Sequence, residues 1–444
     1  MGKIRIDKEE IKERIQNKVL KISVVGLGYV GLNVACLFAK NGFAVYGFDT
    51  NQKRIEKLKN NVNPLPEEEW LNPYISKLLV SMSIESAALK GDVVFIAVPT
   101  PFCNNKTDLS YLVSALTCVS KNLCEGKFLV IESTVPPGTT EGVVKNLIEG
   151  ISGLKSSEDF GLAFSPERID PGNKCRFIWN TPKIVGGIDP LSTEIISFLY
   201  SQVVDKIISV STPRSAEFVK VIENAQRNVN IALTNLYSKI ANSLGIDIEE
   251  ALSAASTKWN FLRLNPGCGV GGECIECAAN MLSEVMDRLS LDSTLIDESV
   301  RINRSMPEFT VNKLIEASND IGKEVGQLRI GILGLAYKGD SSDTRNSPSL
   351  KIIKSLNEKG CRYVLAYDPF ANVQMDVGAQ FVKTLKEAIG NMDCVIIATD
   401  HTELKHVDVS VFKENNVKAI IDGRNCLNKG KVEALGIIYK GIGR

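Results

Sequence analysis

Two glycine-rich segments and one cysteine carry the strongest chemical signals in this sequence. NPGCGVGGEC at 265–274 packs four glycines into Gly267–Gly272, just ahead of an expected helix. Such a backbone can pass close to a ligand, and Cys274 then stands at a helix N-terminus, where the dipole favours a thiolate. Three readings are open: a glycine-rich connection with a buried thiol, a metal or redox site built from Cys268, Cys274 and Cys277, or a nucleophilic cysteine. The three thiols lack a fourth local ligand, so no metal is expected. The Cys274–Cys277 spacing is that of a redox pair.

The second segment, GLGYVG at 26–31, follows an expected strand and opens an expected helix. Gly26 allows the tight turn, Gly28 a close approach of the backbone to a pyrophosphate, and Gly31 close helix–strand packing, with Tyr29 and Val30 between them. The helix N-terminus offers N–H donors and a partial positive charge to phosphates. Asp49 ends the next strand, eighteen residues past Gly31, where a carboxylate can bind both ribose hydroxyls and repel a 2′-phosphate. The expected cofactor is therefore NAD rather than NADP, with Lys53 and Arg54 on the next helix pulling the other way. A thiol combined with NAD suggests aldehyde oxidation through a thiohemiacetal and a thioester.

Glu217, Lys220 and Asn224 fall at i, i+3 and i+7 of a long helical run, hence on one face. Either the stripe is solvated, or Lys220 and Asn224 face a cleft and stabilise a developing oxyanion. Histidine is nearly absent, with only His401 and His406. Chemistry in the first 400 residues must run without imidazole, which excludes Ser-His-Asp hydrolysis, His-ligated zinc and His-assisted oxidation of 2-hydroxy acids.

These groups need a large scaffold. A length of 444 residues corresponds to about three domains. Apolar residues at 44% and charged residues at 23% are ordinary globular values. Lys+Arg and Asp+Glu both number 52, so no basic footprint for nucleic acid exists. Eleven scattered cysteines in so long a chain do not read as a disulfide framework. The charged start MGKIRIDKEEIKERIQNK has no apolar core of a secretory signal. Ile22–Ala39 is nearly all apolar, but Gly26, Gly28 and Gly31 suit a strand, a turn and a buried helix better than a membrane span. A cytoplasmic protein without membrane or nucleic-acid partners is expected.

The expected fold class is α/β: two Rossmann-like parallel-sheet domains joined by a helical middle. Residues 1–18 read as a helical extension with Ile4, Ile11, Ile15 and Val19 apolar. Strand candidates KISVVG (21–26), AVYGFD (44–49), DVVFIAV (92–98), KFLVIEST (127–134), FGLAFS (160–165) and KIVGG (183–187) alternate with helices over 19–211. Over 212–310 the β signal vanishes; a helix starts at Thr212–Pro213 and stops at Gly245. Over 325–444 the pattern returns with RIGILGLAY (329–337), YVLAYDP (363–369), DCVIIATD (393–400) and KAIIDGR (418–424).

Several separated motifs agree on one resemblance. GLGYVG, VPTP (98–101), STVPPGT (133–139), SPERIDPGN (165–173), AEFVKVIEN (216–224), GVGGEC (269–274), GLAYKGDSSDTRNSP (334–348) and DGRN (422–425) resemble, in order, the UDP-glucose/GDP-mannose dehydrogenase family. The resemblance implies an N-terminal NAD-binding domain, a helical domain used for homodimerisation, and a C-terminal domain holding the UDP-sugar. It implies oxidation of the sugar's C6 alcohol to a carboxylate with two NAD+, first to an aldehyde captured by the thiolate, then to a thioester that water hydrolyses. Carried over by residue, Cys274 matches the nucleophile, Lys220 and Asn224 the oxyanion and water pair, and Glu167 the acid of the SPER segment beside Arg168. Thr134 and Thr100 match positions at the cofactor. Lys338, Arg424 and Arg345 match the C-terminal substrate-binding groups, and Gly271 the glycine loop at the sugar.

The sequence departs from the family after the nucleophile. The aspartate that helps activate the hydrolytic water is replaced by Ala278, with Glu273 and Glu276 as the nearby carboxylates that could substitute. SPERIDPGN and STKWNF (256–261) resemble the branch acting on UDP-N-acetylhexosamines, especially UDP-GlcNAc, which makes Lys258 a substrate contact. UDP-ManNAc or UDP-glucose oxidation, for polysaccharide biosynthesis in each case, is the alternative. So is a binding paralogue with impaired hydrolysis. A C4 epimerase or dehydratase needs Tyr-x-x-x-Lys, but Tyr237 is followed by Ile240 and Ala241.

Overall fold

The computed structural model describes residues 7–103, 105–169, 175–371 and 378–444. Ile4 and the IDPGN half of the SPER segment beyond Ile169 therefore lie outside the described residues. The chain packs as two compact units, Met1–Glu223 with Glu284–Ser290, and Asn224–Ser283 with Leu291–Arg444.

The first unit contains β1 (Lys21–Val25), β2 (Ala44–Phe48), β3 (Leu78–Ser81), β4 (Val93–Ile96), a hairpin of β5 (Phe102–Cys103) and β6 (Lys106–Thr107), then β7 (Phe128–Ile131), β8 (Gly161–Phe164), β9 (Lys183–Gly187) and β10 (Ile207–Ser209). Eight of these form one sheet in the order β10-β9-β8-β7-β4-β1-β2-β3. Side chains alternate between its faces. Ile22, Val24 and Phe95 join one core cluster, whereas Val25, Val94 and Ile96 join the other. Both faces are covered, which is why the strands read as continuous apolar runs. The strands are parallel except at one edge, where β9 pairs with β8 antiparallel. No helix occurs among the described residues between these two strands, and a return without a crossover gives antiparallel pairing.

The second unit contains β11 (Arg329–Leu333), β12 (Tyr363–Tyr367), β13 (Gln380–Phe381), β14 (Cys394–Ile397), β15 (Ala419–Asp422) and β16 (Ile438–Gly441). They pair parallel in the order β13-β12-β11-β14-β15-β16. Ile330 and Ile332 face one core, and Leu333 with Val395 the other.

Both sheets open with one device. β1 is followed by Gly26 at φ +88° and β11 by Gly334 at φ +90°, conformations that an L side chain resists. The next N–H, that of Leu27, donates to Asp49 Oδ2 at 2.8 Å; likewise Leu335 N–H donates to Asp368 Oδ2 at 2.6 Å. Each carboxylate thus ties the turn to the end of the neighbouring strand.

The long helix runs Pro213–Leu244 and stops at Gly245, φ +70°. The N-terminal helix is Lys8–Gln16, capped by Asp7, with Ile11 and Ile15 buried. Val19 lies beyond it and is exposed, contrary to the expected apolar stripe. Ile22–Ala39 is β1, the glycine turn and most of helix Tyr29–Lys40. Among the described residues no helix is long and apolar enough to cross a membrane.

Candidate active site

The glycine turn meets the steric demands of a dinucleotide. A Cβ on Gly26 would lie 2.3 Å from Ala97 O, and one on Gly31 would lie 1.8 Å from Gly26 O, so both positions require glycine. A Cβ on Gly28 would meet nothing within 4 Å, which leaves open space against the backbone. Gly28 is also the N-cap of helix Tyr29–Lys40 and offers no capping side chain, leaving the first helical N–H groups for an anion. The turn lies at the strand ends where the order reverses between β1 and β4. These residues fit NAD. Tyr29 turns its hydroxyl to Glu68 at 2.5 Å, and burial pushes that phenol far up.

Asp49 is buried at the end of β2, as expected, but its carboxylate is already engaged. Besides Leu27 N–H, it accepts from Asn51 N–H at 2.7 Å and from Arg54 Nη1 at 2.8 Å. Arg54 therefore neutralises the group expected to discriminate against a 2′-phosphate. Nearby, Thr100 Oγ1 donates to Thr134 O at 2.5 Å, and Ser133 Oγ donates to Val98 O at 2.7 Å. These bonds stitch VPTP to the segment after β7.

Glu217 overturns the solvated-stripe reading of its helix face. It is fully buried and accepts from Gly138 N–H at 2.6 Å and Thr140 N–H at 2.8 Å. Burial pushes its carboxyl up to about 7. It caps the helical stretch that starts at Thr140, so the long helix holds the STVPPGT loop. Lys220 follows on the same helix and is half-buried. Arg168 forks onto Glu223 (2.6 and 3.2 Å) and donates to Pro182 O at 2.8 Å. Its guanidinium thus anchors the SPER segment to the long helix instead of standing ready for a ligand. Glu167 is buried, with Oε1 accepting from the Arg168 and Ile169 N–H groups at 2.6 and 2.8 Å.

In the second unit, Cys274 opens helix Cys274–Arg288 and is exposed, as its segment suggested. Asn224 Nδ2 reaches Cys274 O at 3.4 Å, which brings two of the expected residues together. Cys268, by contrast, is fully buried; its thiol donates to Ala398 O at 3.2 Å, and burial pushes it up. It serves the packing of the loop.

The loop before Cys274 is clamped on two sides. On one side Gly267 N–H donates to Asn235 Oδ1 at 3.0 Å, Asn235 Nδ2 to Asn303 Oδ1 at 2.9 Å, and Asn303 Nδ2 to Asn228 Oδ1 at 2.9 Å. On the other, Tyr337 lies so close to Gly271 that a Cβ there would be 2.3 Å from Tyr337 Cβ. Arg424 donates to Ala398 O at 3.0 Å and Tyr337 O at 2.9 Å, so it shapes this wall. Sequence reasoning missed Tyr337 and the asparagine ladder, although Asn228 and Asn235 recur seven residues apart on a helix, a spacing that could have betrayed a polar face.

Arg345 is held by Asp343 (2.6 Å) and by Glu273 (2.8 Å). Glu276 is held by Arg304 at 2.6 Å. Ala278 sits one turn beyond Cys274 on the same helix face and is buried, whereas Glu276, two residues on, points elsewhere. Both carboxylates expected to substitute for the missing aspartate are thus spent on arginines. Lys338 is half-buried after the Gly334 turn, and Lys258 is exposed after helix Ile248–Ala255.

Comparison with known proteins identifies the family. Three models of the UDP-glucose/GDP-mannose dehydrogenase family match: the NAD binding domain over residues 20–204, the central domain over 214–305, and the UDP binding domain over 331–429. A UDP-N-acetyl-D-mannosamine dehydrogenase of Pyrococcus horikoshii is 37% identical over 96% of this chain and 99% of its own. A solved structure of the UDP-D-ManNAc dehydrogenase from that organism superposes with a TM-score of 0.87 at 35% identity, covering 96% of this chain and 99% of the other. A UDP-N-acetyl-D-glucosamine 6-dehydrogenase of Pseudomonas aeruginosa is 35% identical over 88% of this chain and 92% of its own. The chain belongs to the UDP-glucose/GDP-mannose dehydrogenase family and is an NAD-dependent nucleotide-sugar dehydrogenase.

Proposed function

We propose that the chain oxidises the C6 alcohol of a UDP-N-acetylhexosamine to the uronate, with Cys274 as nucleophile. The observation that carries this reading is Cys274 itself, exposed at the start of its helix behind a clamped glycine loop. NAD+, when bound on the Gly26–Gly31 turn, accepts two electrons per molecule, so oxidation to a carboxylate consumes two. Glu167 takes the proton leaving the C6 hydroxyl, and the Thr134 hydroxyl serves beside cofactor and water. The Cys274 thiolate attacks the aldehyde carbon to give a thiohemiacetal; the second two-electron oxidation turns this into a thioester, and water cleaves it to the uronate and the free thiolate. Lys220 and Asn224 stabilise the oxyanions. Lys338 and Lys258 bind the UDP-sugar, the backbone of the glycine loop at Gly271 borders it, and Arg345, Arg424 and Arg168 shape the walls through the bonds described above.

UDP-ManNAc is the preferred substrate in this reading, supported by the relatives named for it. UDP-GlcNAc is the second reading, favoured by STKWNF and by the Pseudomonas relative. We also propose a division into 1–18, 19–211, 212–310 and 325–444, a cytoplasmic location, a role in polysaccharide biosynthesis, and a homodimer built on the helical middle. The test is NADH yield per sugar with UDP-ManNAc, UDP-GlcNAc and UDP-glucose. Two NADH from one N-acetylhexosamine supports the proposal; turnover of UDP-glucose alone overturns the substrate. Two NADH per active site without further turnover means that hydrolysis fails at Ala278; a single NADH per sugar means arrest at the aldehyde, and none with any sugar overturns the proposal.

A further inference from the structure

The chemistry above leaves unused a buried group of ionisable side chains behind Glu167. Glu132 follows β7 and Lys183 opens β9; both are almost completely buried, as is Tyr200 on helix Pro190–Ser201. Lys183 Nζ donates to Glu132 Oε2 at 2.7 Å and to Pro166 O at 3.1 Å, and stands 3.6 Å from Glu167 Oε2. The Tyr200 hydroxyl donates to Glu132 Oε1, and the ammonium lies 5.0 Å from the Tyr200 ring centroid. Glu167 Oε2 is buried and has no hydrogen-bond partner among the described residues.

Two carboxylates here face one ammonium, so the group is neutral only when one of them holds a proton. Burial pushes Glu132 up to about 7. For stability alone, an apolar trio would serve as well without desolvating three charges. Among the described residues, Tyr29 and Arg168 also stand near Glu167; the Tyr29 hydroxyl is committed to Glu68 and Arg168 to Glu223.

We propose that Lys183 is a positioning residue for Glu167: anchored on Glu132 and the Pro166 carbonyl, its ammonium orients the Glu167 carboxyl and governs how readily that carboxyl takes and releases a proton. This rests on the acid–base role assigned to Glu167 above. Glu132 competes for the same ammonium, so the two carboxylates are coupled. Removing Glu132's charge leaves Lys183 to Glu167 alone and favours the ionised form of Glu167. Removing both charges takes the cation away and favours the protonated form.

The experiment measures the pH dependence of the first NADH-forming turnover in the full-length enzyme, with NAD+ and whichever of UDP-ManNAc and UDP-GlcNAc is oxidised. Glu132→Gln should move the limb governed by Glu167 to lower pH. Lys183→Met combined with Glu132→Gln should move it to higher pH by about one unit, the effect of a tenfold change in proton affinity. NAD+ binding should stay within about threefold of the parent in both, since a tenfold loss would mean a disturbed turn. Glu132→Gln is nearly isosteric, and with its amide oxygen accepting from Lys183 and its NH2 donating to the Tyr200 hydroxyl it keeps both contacts, so it reports even where the double variant fails to fold. A 13C NMR titration of labelled glutamate carboxyls reads the same shifts without turnover. Unmoved limbs, or limbs moving in the same direction, overturn the role of Lys183. A Glu167→Gln enzyme as fast as its parent overturns the acid–base reading and this proposal with it, whereas a slow one with unmoved limbs in the other variants overturns Lys183 alone.

Discussion

Cys274 and Cys277 share the first turn of one helix, and their serine variants separate a nucleophile from a thiol pair. Cys274→Ser should bind NAD+ and UDP-sugar within about threefold of the parent yet lose at least on the order of 10³-fold in NADH production, because a hydroxyl forms no ready thiolate. Cys277→Ser should keep most of the rate. Equal losses in steady-state assays of the two variants would refute the assignment. Ala278 allows a second test, since no carboxylate shares Cys274's helix face. Ala278→Asp should speed breakdown of a trapped acyl-enzyme several-fold in a quenched-flow assay; its site is buried, so thermal melting should confirm the fold. Asp49 and Arg54 allow a third. NADP+ should bind at least about tenfold more weakly than NAD+, about 1.4 kcal/mol. Arg54→Ala should widen that ratio in fluorescence titrations, because it leaves the Asp49 charge uncompensated. A narrowed ratio would show that Arg54 does not offset the Asp49 charge at the 2′ position.

Among the elements, the long helix does most to organise the first unit. Through Glu217 it receives the N–H groups of the STVPPGT loop, and through Glu223 it receives Arg168. Glu217 has a raised value near 7 in the folded chain against about 4.3 when unfolded. Its contribution to stability is therefore fully present below about pH 4 and is lost as pH rises through 7. Glu217→Gln does not titrate. Its melting temperature relative to the parent should rise between pH 5 and pH 8, and a difference independent of pH would show that Glu217 is ionised throughout. Comparing the two proteins cancels the parallel titration of Glu132, which both retain.

On the scale of the whole molecule, two sheets with the same opening turn divide the ligands, one matched by the NAD-binding model and the other by the UDP-binding model. The long helix also exposes Leu233, Leu236, Ile240 and Leu244, at i, i+3, i+7 and i+11. Such an apolar stripe of helical period is expected to be covered by another surface. Ile240→Glu with Leu244→Glu should shift the light-scattering mass from dimer toward monomer; an unchanged mass would remove this face from the dimer proposed above.

Local and periodic signals were legible in the sequence alone. Buried strands showed as apolar runs, the Gly26 turn as a glycine after a strand, and Cys274 as the end of a glycine segment, whereas the strand expected over 329–337 stops at Leu333 because Gly334 turns the chain. Short edge strands such as β3, β13 and β16 were not, because two to four residues are too few to show a period. Nor was the antiparallel turn of β9, which depends on a connection without a crossover. Tertiary structure alone decided the partners of the charged groups. Lys183 is one polar residue in KIVGG, and Glu217 one of many glutamates, until folding removes water and places each against a specific partner. Arg54 on Asp49, Arg304 on Glu276 and Arg345 on Glu273 follow the same logic. Sequence spacing determines which residues share an element, but ion pairs over long separations depend on distances of a few ångströms that only the packed chain sets.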